Sequence, residues 1–127
     1  MHVVRLKDAK PYFPPEHFDM RCLRLQGHEA GPAEKLWLGM SQLLPGGHTS
    51  LDASPLEKYY VVLDGELTIE NGTERVVLGP WDTCRIAPGE KRALKNETNR
   101  TVTVLLSMPL PPPAAWRPCP LPARAST

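Results

Sequence analysis

A chain of 127 residues with 41% hydrophobic side chains forms one domain, large enough to bury about two-thirds of its unfolded surface and fold without staples. Its 15 basic and 14 acidic residues are scattered and leave a net charge of +1, which offers no basic face to nucleic acid or anionic lipid. No apolar run reaches membrane-spanning length and the N-terminus MHVVRLKDAK lacks the apolar core of a secretion signal, so a cytoplasmic protein is expected. Cys22, Cys84 and Cys119 have neither the even count of a disulfide framework nor the spacing of a zinc site, and read as free thiols.

In chain order, His2 to Leu6 reads as a short strand, and Pro11, Pro14 and Pro15 then forbid a regular helix. Met20 to Leu25, MRCLRL, alternates apolar and basic residues like a strand with one buried face. A polar loop from Gln26 to Ala33 leads to a strand from Glu34 to Leu44. Its two faces carry Leu36, Leu38, Met40 and Gln42 on one side and Trp37, Gly39, Ser41 and Leu43 on the other.

The stretch from Pro45 to Leu67, PGGHTSLDASPLEKYYVVLDGEL, organises the rest: a Gly-marked turn, a short strand, a Pro break, a second strand and a tight turn. Asp64-Gly65 between two apolar runs predicts a hairpin joining Lys58–Leu63 to Glu66–Glu70, with positive φ at both turn residues. Alternation places Lys58, Tyr60 and Val62 on one face and Tyr59 and Val61 on the other. Four further strands follow, Glu74–Leu78, Asp82–Ile86, Arg92–Lys95 and Thr101–Met108, parted by turn residues. Many short strands and no helical pattern predict an all-β sandwich or closed barrel. From Pro109 onward, PLPPPAAWRPCPLPARAST cannot enter a sheet interior and is expected to be extended or disordered, or to cross a partner subunit through Trp116.

Two stretches carry a family resemblance. The first is PGGHTSLDASPLEKYYVVLDGEL, with Gly46 and Gly65 at the ends of its motif; the second is WDTCRIAPGEKRALKN, with Gly89 and Asn96 in place. In these the chain resembles small single-domain cupins, and the resemblance implies a double-stranded β-helix jelly roll. It divides the chain into an N-terminal arm (residues 1–34), the cupin barrel (35–108) and a Pro-rich tail (109–127).

The departures bear on function. Where the family holds a divalent metal with two His, a Glu and a third His, this chain has Asp52, Ser54, Lys58 and Arg92. Two cations there repel a metal, and Arg cannot shed the proton that ligation requires. Trp81 and Ala87 also replace a Gly and a Pro of the second motif. A cupin without the family's metal and with no cofactor is therefore expected; the other reading pairs Asp52 with one of His2, His17, His28 or His48, none at ligand spacing.

Because the family's ligand slots point into the barrel, Asp52, Ser54, Lys58 and Arg92 are expected to converge there, joined by Tyr60, Cys84, Ile86 and Leu94. One reading is a fossil site closed by ion pairs from Asp52 to Lys58 or Arg92. The functional reading has Arg92, with Ser54 and the wall of Cys84, Ile86 and Leu94, bind a small anionic molecule, its guanidinium clamping a carboxylate. Lys58, with Asp52 or Tyr60, then supplies acid/base chemistry as in a lyase, isomerase or decarboxylase. The alternative function is a binding or sensing module without turnover. The resemblance also implies pairing as a homodimer through sheet edges.

Overall fold

The computed structural model of the chain describes residues 1–111; the tail predicted to be extended, with Trp116 and Cys119, lies outside the described residues. Among the described residues ten strands form an all-β barrel in which every pairing is antiparallel. They are β1 (Lys10–Tyr12), β2 (His17–Gln26), β3 (Leu36–Thr49), β4 (Asp52–Ala53), β5 (Lys58–Asp64), β6 (Leu67–Glu70), β7 (Arg75–Leu78), β8 (Thr83–Ile86), β9 (Lys91–Lys95) and β10 (Val102–Pro109). The main path runs β7-β6-β9-β3-β10-β5-β8; β2 adds to β3, β1 to β2, and β4 to β9.

Alternation decides what faces the interior. In β3 the residues Trp37, Gly39, Ser41 and Leu43 are buried and their neighbours are not, as the period of two requires. In β5 the buried set is Lys58, Tyr60 and Val62. Leu67 and Ile69 of β6, Leu94 of β9 and Val104 of β10 complete the apolar centre. The expected turn at Pro45-Gly46-Gly47 is not made: β3 runs on through it to Thr49, packed so close to β2 that a Cβ at Gly47 would lie 2.5 Å from the carbonyl oxygen of Asp19 and only glycine fits.

Three further expectations are corrected. His2 to Leu6 is not a strand; a single 3-10 turn, Leu6–Asp8, stands at its end. β2 is buried on both faces at Cys22, Leu23 and Arg24, the Arg24 guanidinium lying 3.8 Å from the Tyr12 ring centroid and 4.3 Å from that of Trp37. β5 and β6 do not form a hairpin. β5 pairs with β10 and β8, and β6 with β7 and β9. Of the turn pair only Gly65 has positive φ (84°), so the tight turn that folds a strand back on itself is not made and the chain crosses to another part of the barrel.

Candidate functional site

Three strands meet at a polar cluster inside the barrel. β5 turns Lys58 and Tyr60 inward, β9 turns Arg92 inward, and the end of β3 supplies Thr49; all four are at most 5% exposed. Arg92 donates from Nε to the Tyr60 hydroxyl (2.8 Å) and from Nη1 to Thr49 Oγ1 (3.2 Å). Thr49 Oγ1 also accepts the backbone N–H of Leu94 at 3.0 Å and donates to the carbonyl of Ser50. Thr49 thus fastens the guanidinium to the β9 backbone.

Neither cation has a carboxylate partner among the described residues. Among the described residues every ion pair lies elsewhere, as in Arg85–Glu57 and Lys95–Glu70, and Lys58 makes no side-chain hydrogen bond. The backbone of Asp52 pairs with that of Arg92 in the β4–β9 ladder, but Asp52 is exposed. The ion pairs of a closed fossil site are therefore not made. Burial pulls the Lys58 ammonium down to about 8, Arg92 adds to the effect and Asp52 opposes it. Burial also raises the Tyr60 hydroxyl against the pull of Arg92, so it stays protonated.

The remaining expected residues divide. Ile86 and Leu94 are buried in the apolar wall, Ile86 directly across from Lys58 and Leu94 two residues beyond Arg92. Cys84 stands opposite Tyr60, only partly buried, with its thiol pushed up by burial. Ser54 is not turned to the cluster. Its hydroxyl bonds the N–H (3.1 Å) and carbonyl (3.2 Å) of Leu56, because the Ser-Pro break closes a local turn that takes up the side chain. Glu57 faces outward to Arg85 at 2.5 Å.

His17 and Thr49 join the cluster without having been singled out for it. His17 is paired with Thr49 across the β2–β3 ladder, half-buried, with Nδ1 2.7 Å from the carbonyl of Pro15. Burial lowers its pKa against the pull of that carbonyl; Arg92 and Lys58 lower it further, and Asp52 opposes them. Spacing alone gives His17 no weight beyond the other three histidines. Its place depends on a register shift between Phe18 and Met20.

The donor set does not suit a metal. The four family ligand positions hold an exposed carboxylate, a hydroxyl spent on its own turn and two cations, and no group of three or more His, Cys, Asp or Glu among the described residues is arranged to hold an ion. No helix among them is long and apolar enough to cross a membrane.

Residues 39–108 match the family model described as a cupin domain. The chain is 38% identical over 111 residues to a protein of Mycobacterium tuberculosis named a β-D-galactosidase, covering 87% of this chain and 96% of that one. Among solved structures it is similar to the polyketide cyclase RemF of Streptomyces resistomycificus, with a TM-score of 0.76 at 21% identity, covering 86% of this chain and 79% of that one. It is similar also to a sugar phosphate isomerase from Silicibacter pomeroyi, with a TM-score of 0.74 at 18% identity and coverage of 86% and 76%. At such identities the two structures share the fold.

Proposed function

This chain belongs to the cupin family, and from that premise we propose that its barrel binds a small anionic molecule of the carboxylate type between Arg92 and Lys58 and transfers protons on it without a metal. The observation that carries the reading is a pair of buried cationic side chains, Arg92 bonded to two hydroxyls and Lys58 with no hydrogen-bond or ion-pair partner among the described residues. A buried charge without a counter-charge is costly, and a ligand carboxylate supplies it. Because Nε and Nη1 of Arg92 are engaged by Tyr60 and Thr49, Nη2 remains for the ligand, which is shared with Lys58 rather than gripped by the guanidinium fork alone. The lowered Lys58 favours turnover over passive binding, since an amine titrating at about 8 exchanges protons near neutral pH.

The relative named a β-D-galactosidase favours a second reading, hydrolysis of a β-galactoside. Most glycosidases use two carboxyl groups, whereas Asp52 is the one carboxylate acting on Lys58, so here a neutral or cationic acid/base pair would do that work. One experiment separates the readings: a melting scan against small carboxylates beside an assay of o-nitrophenyl β-D-galactoside, with wild type, Lys58→Met and Arg92→Met. Stabilisation by a carboxylate that fails in Arg92→Met supports the first. Galactoside cleavage abolished in Lys58→Met, with no carboxylate effect, replaces it by the second. The protein is further proposed to be a cytoplasmic homodimer; the strand path ends at β7, with Val76 and Val77 exposed, and at β8. Light scattering gives the mass that tests this.

A further inference from the structure

We propose that His17, on the arm before the segment that matches the family model, is the proton acceptor of this site, its Nε2 taking a proton from the bound molecule. The inference rests on the acid/base reading above and adds a residue and a role to it. His17 and Thr49 are cross-strand partners. Such partners share one face of a sheet with Cβ atoms about 5 Å apart, and the Thr49 side chain is the one that holds Arg92.

The tautomer follows from one contact. A carbonyl can only accept, so the 2.7 Å contact between Nδ1 and the Pro15 oxygen places the hydrogen on Nδ1 and leaves the lone pair on Nε2. The arm is also fixed in place. Glu16, at φ 58° a strained conformation for a side-chain residue, accepts the Ser50 N–H on its carbonyl (3.1 Å) and the Ser50 hydroxyl on its carboxylate (2.9 Å). These two bonds clamp the residue before His17 to the residue after Thr49.

Burial disfavours the imidazolium most, and Arg92 on β9 and Lys58 on β5 add to that, while the Pro15 carbonyl and Asp52 on β4 favour it; the balance lowers the His17 pKa. Glu16 and Asp19 are the acidic neighbours on its own segment. In the proposed step the Nε2 lone pair takes a proton from an O–H or from a C–H beside the carboxylate, and the Lys58 ammonium gives one to the atom that gains the electron pair. The imidazolium then returns its proton to the Lys58 amine through solvent, which restores both groups.

The test is nitrogen NMR of the imidazoles of the full chain, with malonate as probe, alongside a melting scan. At pH 7 the His17 signals should show a protonated Nδ1 and a bare Nε2. The His17 pKa should rise in Lys58→Met and in Arg92→Met, and malonate should shift Nε2 while raising the melting temperature. A protonated Nε2, a pKa indifferent to both substitutions, or malonate stabilisation with a silent Nε2 overturns the role of His17 while leaving the anion site standing. No malonate effect on melting overturns the anion site, and this role with it.

Discussion

Arg92 Nε donates to the hydroxyl of Tyr60 at 2.8 Å across the barrel interior, joining β9 to β5 through two side chains that are 5% and 2% exposed. The partner is a neutral hydroxyl and no carboxylate stands within ion-pairing distance among the described residues, so the bond satisfies a donor and leaves the charge. That residual charge is what a bound anion would neutralise.

Tyr60→Phe removes the acceptor and strands a buried guanidinium donor. It should lower stability by about 2 kcal/mol, within the usual penalty for an unsatisfied buried group, as read by urea unfolding. Thr49→Val should do the same and additionally release the Leu94 N–H, giving the larger loss.

Lys58 titrates at about 8 in the fold against 10.5 for the unfolded amine. Between those values the unfolded chain binds the extra proton, so wild-type stability should rise as pH rises through this window; below about 8 the full penalty of a buried cation persists. Lys58→Met should therefore be the more stable protein at pH 7 and lose that rise. Denaturant midpoints from pH 7 to 10.5 check it, and parallel curves for the two proteins would refute it.

Trp81 holds φ at 69° while its side chain is 76% exposed, at the position where the family motif has glycine. The Trp81 N–H bond to the Val62 carbonyl (2.6 Å) pins that conformation. Trp81→Gly gives up little buried surface and relieves the strain, so it should stabilise the barrel by about 1 kcal/mol in thermal unfolding.

Asn96 is 1% exposed and ties three places together: Nδ2 donates to the carbonyls of Leu43 (2.9 Å) and Arg100 (2.6 Å), and Oδ1 accepts the N–H and hydroxyl of Thr98. This is the structural work of the motif's last residue. Asn96→Ala should cost about 3 kcal/mol, since it orphans several groups at once. Asn96→Asp should lose most of this too, because a carboxylate has no N–H to give the two carbonyls.

Much of the barrel was legible because alternation is a local signal. The inward sets of β3 and β5, including Lys58 and Tyr60, follow from counting by twos, and both cupin motifs fall where the strands turn. What was not legible depends on distant partners. Asp64-Gly65 has the composition of a hairpin, yet β5 finds both of its neighbours elsewhere. Arg24 reads as a surface cation until Tyr12 and Trp37 are seen to enclose it. His17 reaches the cluster through a bulged register to Thr49, and Ser54 leaves it by bonding to Leu56 in a local turn that a motif slot does not record.

An anion held by Arg92 and Lys58 without a metal is tested by melting the protein with small carboxylates before and after exhaustive chelation, in wild type and in Arg92→Met, with metal content assayed alongside. At least one carboxylate should stabilise the protein, with an effect that survives chelation and vanishes in Arg92→Met. One metal ion per chain, with a carboxylate effect that chelation abolishes, would contradict it.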